Sequence, residues 1–132
     1  MYEATKSAAQ IELMREAGRI VATVLEHLST LVVPGVTTGE LDRVAEQMIR
    51  DLGGEPSFKG YRGYPASICT SVNDQIVHGI PGERRLLDGD ILSIDCGAIW
   101  QGYQGDAAIT VAVGTVPEET LALMAATQAA LA

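Results

Sequence analysis

The sequence is poor in cysteine, in positive charge and in long apolar runs. Two cysteines, Cys69 and Cys96, are too few for a disulfide framework, so we expect reduced thiols and a cytoplasmic location. No apolar run approaches the ~20 residues that span a bilayer, and the N-terminus has no apolar signal core, so we expect no membrane association. Nine basic residues against seventeen acidic ones argue against nucleic-acid binding, which needs clustered Lys and Arg.

The remaining composition is that of a compact protein. Apolar residues make up 47% and charged residues 20% of the chain. A chain of 132 residues supports one hydrophobic core. Since no internal repeat or low-complexity linker interrupts the sequence, we predict a single domain over residues 1–132.

Two helices are predicted in the first part of the chain. Apolar residues recur at three- and four-residue steps over 7–31, which indicates an amphipathic helix. Thr37, followed three residues later by Glu40, predicts a capping box that starts a second helix, and this helix should end at 53–54. The predicted apolar stripes consist of Ile11, Leu13, Met14, Ala17, Ile20, Val21, Val24, Leu25 and Leu28 in the first helix and of Leu41, Val44, Ala45, Met48 and Ile49 in the second.

The second part of the chain is predicted to form a sheet and a third helix. Thr115, Pro117 and Glu118 resemble an N-cap, a first-turn proline and a capping glutamate. No glycine or proline closes this last helix before Ala132, so we expect the chain to be truncated within it. The fold class is α+β with an antiparallel sheet. Short β-branched runs between glycines predict four strands, at 67–72, 75–80, 91–100 and 106–114.

Two aspartates stand out in the predicted hairpin. If the turn is centred between Trp100 and Gln101, Asp95 lies opposite Asp106 with Cβ atoms ~5 Å apart. Alternation along each strand then separates a polar face from an apolar face. The face that carries both carboxylates contains Ser93, Asp95, Gly97, Asp106, Ala108 and Thr110, and the other contains Leu92, Ile94, Cys96, Ala107, Ile109 and Val111.

Two ionised carboxylates at this separation repel each other, so one of them keeps its proton or a divalent cation lies between them. The alternative is that both aspartates are solvated strand or turn residues. A catalytic divalent metal takes more than two protein ligands, so further residues must contribute to a complete site.

Several motifs, in order and in register, resemble type I methionine aminopeptidases over about residues 11–131. The resemblance implies half of a pita-bread fold, with an antiparallel sheet and helices packed on one face. It also implies that residues 1–132 form the N-terminal half of the catalytic domain, without the second half. The motifs are LMREAGRIVATVLE, PGVTTGELD, FKGYRGYPASIC, VNDQIVHGIP, LLDGDILSIDCGAIWQGYQGD and TVAVG.

The resemblance implies a role for each matching residue. Asp95 corresponds to a ligand of one ion of a two-metal centre, and Asp106 to the ligand that bridges both ions. His78 corresponds to the catalytic histidine that donates a hydrogen bond to the substrate, although a strand-end histidine alone would be interpreted as structural. The candidate walls of the methionine pocket are Phe58, Tyr61, Tyr64 and Cys69. The alternative is that the aromatic residues among them are ordinary core residues.

The implied activity is cotranslational removal of the N-terminal methionine by a metal-activated water. The implied substrates are nascent polypeptides with a small second residue, encountered near the ribosome, and the implied cofactors are two divalent ions, Co, Mn, Fe or Zn. In this family the second half supplies a histidine and two glutamates. Here no histidine follows Asp106, and the only glutamates after it are Glu118 and Glu119. We therefore expect negligible turnover by the chain alone, and an apolar patch covered by the missing half or by self-association.

Two alternatives stay open. A proline-specific aminopeptidase or prolidase shares the fold and both aspartates, although NDQIVHGIP and the short N-terminal region favour the methionine enzyme. A non-catalytic binding protein on the same fold is the second alternative, and the presence of Asp95, Asp106 and His78 argues against it. Gln104 departs from the histidine of many relatives and is expected to alter the surface near the site, while His27 is assigned no function.

Overall fold

The computed structural model describes residues 5–132, so the first four residues of the N-terminus, where the sequence has no apolar signal core, lie outside the described part. Helix α1 spans Ala8–Leu31 and starts with a capping box between Ser7 and Gln10. Ile11 and Met14, predicted to be in the buried stripe, are exposed, because burial of this helix begins only at its third turn. The buried residues of α1 are Ala17, Ile20, Val21, Val24, Leu25 and Leu28.

Helix α2 spans Thr38–Asp51 and starts as predicted. The Thr37 hydroxyl accepts the Glu40 N–H at 3.1 Å, and the Glu40 carboxylate accepts the Thr37 N–H at 2.7 Å. These reciprocal bonds satisfy two backbone donors that a helix N-terminus otherwise leaves unpaired. The helix buries its apolar face in the core that it shares with α1 and the sheet, through Leu41, Ala45 and Ile49.

Four antiparallel strands form one sheet. The strands are β1 (Glu55–Pro56), β2 (Ile68–Val72), β3 (Ile91–Trp100) and β4 (Tyr103–Ala112). β3 is central, with β4 along one side and both β1 and β2 along the other. α1 lies across β3 and β4, and the apolar residues of β3 point into the resulting core. The structure confirms the predicted α+β class.

The strand predicted at 75–80 was wrong, because the chain turns away as soon as β2 ends. Asn73 adopts a left-handed φ of 53°, and its side chain bonds to Asp90 and to the Ile91 N–H. The Gln75 side chain reaches back to accept the Val72 N–H at 3.0 Å. These bonds hold a turn in place of a continuing strand, so this segment is a loop.

The predicted hairpin register was also wrong. The turn consists of Gln101 and Gly102, with φ values of 46° and 84°, and Trp100 pairs with Tyr103. A two-residue hairpin turn of this kind needs positive φ at both positions, and Gly102 adopts it without steric cost. The turn centre is therefore one residue later than predicted, which shifts every pairing by two residues and keeps both faces as predicted.

The last helix, α3, spans Glu118–Leu131, and its predicted start was wrong in detail. Pro117, rather than the predicted Thr115, occupies the N-cap, and it makes no side-chain cap bond. Thr115 lies before the helix, where its N–H donates to the Asp88 carboxylate at 2.7 Å. None of the residues of α3 is buried. Within residues 5–132, no helix is both long and apolar enough to cross a membrane.

Candidate functional site

The floor of the candidate site is the sheet face opposite α1. Asp95 pairs with Ala108, and Asp106 pairs with Gly97, so the two aspartates are diagonal neighbours on one face. Diagonal positions of this kind lie ~7–8 Å apart at the backbone, within reach of two carboxylate side chains. Cys69 of β2 pairs with Asp95 from the other side, which places its side chain on the same face.

One oxygen of the Asp95 carboxyl, the buried Oδ1 atom, lacks a hydrogen-bond partner among the described residues. Burial raises the pKa of Asp95, and the charge of Asp106 and a hydrogen bond with it raise that pKa further, while His78 acts in the opposite direction. A buried, unpaired carboxylate oxygen beside a second carboxylate fits a bound divalent cation, which would satisfy the oxygen and offset the repulsion.

The two aspartates do not form a closed metal site by themselves. Over residues 5–132, no three His, Cys, Asp or Glu side chains converge in a way that could hold a metal ion. Catalytic divalent sites take at least three protein ligands as a rule. The described part of the chain therefore provides a partial ligand set.

The loop before β2 forms one wall of the site. The rings of Phe58 and Tyr64 meet edge to face at 6.4 Å between centroids, and the Tyr64 hydroxyl donates to the Ile68 carbonyl at 2.9 Å. A Cβ atom at Gly97 would lie 2.7 Å from the Phe58 ring and 2.1 Å from the Ser57 hydroxyl. The loop can therefore rest on the sheet beside Asp106 only because position 97 has no side chain.

The rest of this wall combines an exposed aromatic ring with a buried thiol. Tyr61 is 65% exposed, and the Arg62 guanidinium lies 5.4 Å from its ring centroid. The Cys69 thiol is buried; burial raises its pKa, and a hydrogen bond with Tyr64 partly opposes that shift. Burial also raises the pKa of the Tyr64 hydroxyl. Both groups are therefore neutral at physiological pH, as an apolar pocket requires.

His78 lies in the exposed loop between β2 and β3. Its backbone adopts a left-handed φ of 59°, which is uncommon for a residue other than glycine. Its side chain lines the same cleft as the two aspartates. The other histidine, His27, is exposed on α1.

The seven residues singled out in the sequence lie around one open cleft of about 730 Å³. Their placement together is a structural observation, and their individual roles stay predictions. Gln104, which stands where many relatives have a histidine, also lines this cleft, called the site cleft below. The sequence did not predict five further lining residues. Each of them lies within two positions of Phe58, Tyr61, Tyr64 or His78, and that closeness was a usable signal. They are Ser57, Arg62, Gly63, Pro65 and Ile80.

Sequence comparison identifies relatives of the chain. The profile of metallopeptidase family M24 matches residues 12–132. The methionine aminopeptidase of Clostridium acetobutylicum is 53% identical over 124 residues, which is 93% of this chain and 50% of that protein. Methionine aminopeptidase 1 of Bacillus subtilis is 50% identical over 126 residues, covering 96% of this chain and 51% of that protein. The chain thus spans about half the length of the curated relatives it matches.

Structural comparison agrees with the sequence matches. The crystal structure of methionine aminopeptidase from Rickettsia prowazekii has a TM-score of 0.93 at 34% identity, over 95% of this chain and 50% of that one. The Xaa-Pro dipeptidase of Bacillus anthracis has a TM-score of 0.76 at 27% identity, over 88% of this chain and 31% of that one. Proline-specific relatives are therefore more distant, and the predicted half of a pita-bread fold is confirmed. The chain belongs to metallopeptidase family M24.

Proposed function

We propose that this chain forms the first half of the active site of a methionine aminopeptidase. The observation that carries the proposal is the convergence of Asp95, Asp106, His78 and the pocket residues on one cleft, with an unpaired carboxylate oxygen at its floor. The similarity to methionine aminopeptidases over almost the whole chain supports the choice of substrate.

Asp95 and Asp106 are the proposed metal ligands, with Asp106 bridging two ions in the complete site. Co, Mn, Fe and Zn all accept carboxylate and imidazole ligands, so the donor set does not select one of them. A divalent ion bound there would polarise the scissile carbonyl and lower the pKa of a bound water. The two carboxylates would hold this positive charge at the floor of the cleft.

His78 is the proposed donor of a hydrogen bond to the substrate. Its exposed position on the rim of the site cleft leaves the imidazole free to reach a bound peptide. Phe58, Tyr61, Tyr64 and Cys69 would receive the methionine side chain, because thioether sulfur makes favourable contacts with aromatic ring edges. The substrates proposed are nascent polypeptides with a small residue after the first methionine, met at the ribosome.

The remaining ligands and the general base are proposed to come from a second half, because Asp95 and Asp106 are the only carboxylates that line the cleft within residues 5–132. The chain alone should then show negligible turnover. A cytoplasmic location is proposed as well. Cys69 and Cys96 are free thiols on opposite faces of the sheet, an arrangement that excludes a disulfide between them and agrees with a reducing compartment.

A chimeric enzyme tests this function. The chain is fused at Ala132 to the C-terminal part of the clostridial relative, and hydrolysis of a Met-Ala-Ser peptide is measured with added Mn²⁺ or Co²⁺. We expect turnover that is lost on chelation. Asp95→Asn and Asp106→Asn should each lower kcat by more than about 100-fold, the upper range for loss of an outer-shell partner of a metal site.

Two controls sharpen the result. Asp74→Asn makes the same chemical change in the exposed loop before His78 and should leave kcat unchanged. An Xaa-Pro dipeptide should be a poor substrate. A folded chimera that cleaves the Xaa-Pro dipeptide faster than Met-Ala-Ser would overturn the proposed specificity, and one that cleaves neither would overturn the enzymatic function.

A further inference from the structure

Gly79, the residue after His78, is bonded to strand β2 through its backbone. The Thr70 N–H donates to the Gly79 carbonyl at 2.8 Å, and the Gly79 N–H donates to the Ser71 hydroxyl at 3.1 Å. Ser71 is buried, so this bond is protected from competing water. Gly79 is therefore held on both of its backbone polar groups, although it lies outside the sheet.

This bonding requires a glycine at position 79. A Cβ atom there would lie 2.0 Å from the Thr70 carbonyl oxygen and 3.0 Å from the Ser71 Cα. Contacts under 3.0 Å are sterically forbidden, so any other residue would push the loop away from β2. The Tyr64 hydroxyl, which donates to the Ile68 carbonyl, lies 3.5 Å from the Gly79 carbonyl and borders the same contact.

The residues around His78 give it little other support. Ile76, Val77 and Ile80 are 90%, 65% and 62% exposed, respectively. His78 itself keeps its left-handed φ of 59°, and such a conformation persists when surrounding contacts determine it. The contacts that meet this requirement are the two hydrogen bonds of the Gly79 N–H and carbonyl to β2.

Through this contact, the position of His78 is set relative to the carboxylates. Ser71 pairs with Ser93, and two residues along the same strands Cys69 pairs with Asp95. The side chains of Ser71 and Asp95 therefore belong to one face of one rigid sheet. A loop fixed to Ser71 is fixed to the frame that carries Asp95.

We propose that Ser71 and Gly79 are positioning residues that hold His78 in the site cleft. The inference rests on the proposed function for its catalytic consequence, since it concerns the placement of the histidine that would contact the substrate. The anchoring itself is independent of that function and can be measured without turnover.

The first test compares two serines in NMR spectra of the chain. Ser71→Ala removes the acceptor of the Gly79 N–H, and Ser93→Ala removes a hydroxyl from the paired residue, which contacts Thr110 instead. We expect Ser71→Ala to speed hydrogen exchange of the Gly79 amide at least about tenfold and to shift the His78 imidazole resonance. Ser93→Ala should change neither, and the resonance of His27 is the internal reference. Equal effects of the two substitutions would overturn the proposal.

The second test compares two glycines of the same loop. Gly79→Ala introduces the forbidden contact with Thr70, whereas Gly82→Ala places its methyl group in open space. We expect only Gly79→Ala to move the His78 resonance. If Gly79→Ala does not fold, Ser71→Thr replaces it, because the retained hydroxyl should preserve the slow exchange of the Gly79 amide. A wild-type His78 spectrum in folded Gly79→Ala, or fast exchange in Ser71→Thr, would count against the anchor.

The kinetic consequence is measured in the chimeric enzyme. Ser71→Ala should lower kcat roughly 10- to 100-fold, the range expected for misplacement of a catalytic group, with KM within about twofold. A rise in KM with an unchanged kcat would contradict a positioning role. If the unsubstituted chimera is inactive, the proposed function fails, while the exchange measurements still decide whether Ser71 and Gly79 hold the loop.

Discussion

Asp106 lies directly opposite Gly97 on the neighbouring strand. Because Gly97 has no side chain, Ser57 and Phe58 of the pocket wall pack directly on the floor beside Asp106, two residues along β3 from Asp95. One glycine therefore connects the two proposed parts of the site, the metal floor and the methionine pocket.

The chain alone should bind Mn²⁺ weakly. Two carboxylates on the floor of the cleft attract a divalent ion, but no third ligand converges with them within residues 5–132, so we expect a Kd on the order of 10⁻⁴–10⁻³ M, typical of weak oxygen sites. Isothermal titration calorimetry of the chain measures this affinity. Asp95→Asn and Asp106→Asn should each abolish the binding, and Asp74→Asn should not. Unchanged affinity after Asp106→Asn would contradict the proposal that Asp95 and Asp106 bind the same ion.

The stability of the metal-free chain should depend on pH through Asp95. The pKa of Asp95 is raised by burial above its ordinary value of 3.8, so the folded chain binds its proton more tightly than the unfolded chain does. Stability is therefore lost as pH rises from 3.8 through the folded pKa, and Asp95→Asn should escape this loss. Chemical denaturation should show a more stable Asp95→Asn variant at pH 7 and equal stabilities below pH 3.8. A variant less stable at pH 7 would mean that the carboxylate makes favourable contacts.

Gly97→Ala should destabilise the pocket wall. The added Cβ would meet the Ser57 hydroxyl at 2.1 Å and the Phe58 ring at 2.7 Å, and overpacking of this kind costs about 1–3 kcal/mol. Thermal or urea denaturation measures the loss. Adding Phe58→Ala to Gly97→Ala should cost less than Phe58→Ala costs in the wild-type background, since the clash is then partly relieved. Strict additivity in this double-mutant cycle would show that the two positions do not compete for space.

Deletion of α3 should have almost no effect on stability. None of its residues is buried, so a chain that ends at Pro117 should unfold within about 0.5 kcal/mol of the full chain. The exposed leucines of α3 form an apolar surface, and analytical ultracentrifugation should show weaker self-association without them. A marked loss of stability would mean that α3 packs on the sheet in solution. The residues concerned are Leu121, Leu123 and Leu131, which are 48%, 63% and 89% exposed.

Local signals in the sequence predicted the helices well. The capping box of Thr37 and Glu40 appears as predicted, because it depends only on residues three apart. The segment 75–80 has the β-branched residues of a strand but is a loop, because the side chains of Asn73 and Gln75 bond to Asp90, to the Ile91 N–H and to the Val72 N–H. Composition does not report such bonds. The hairpin register failed at Gln101, whose positive φ is set by the twist of the paired strands rather than by its own preference.

The sequence predicted seven of the residues that line the candidate site, but not their geometry. The motifs identified Asp95, Asp106 and His78, and the structure brings them to one cleft. The diagonal placement of the aspartates follows from the turn, so it required the fold. The close contacts of Gly79 and Gly97 were not predictable either, because a glycine in a sequence does not show which backbone or ring will approach it.

The two-residue turn at Gln101 and Gly102 also makes the placement of the Asp106 carboxylate depend on the number of residues between Asp95 and Asp106. If the turn keeps its two residues, insertion or loss of a single residue between Asp95 and Asp106 shifts the pairing register by one and directs Asp106 toward α1. A change of two residues would keep the face but alter the spacing of the carboxylates. During divergence of such chains, this hairpin should therefore accept substitutions far more readily than insertions or deletions.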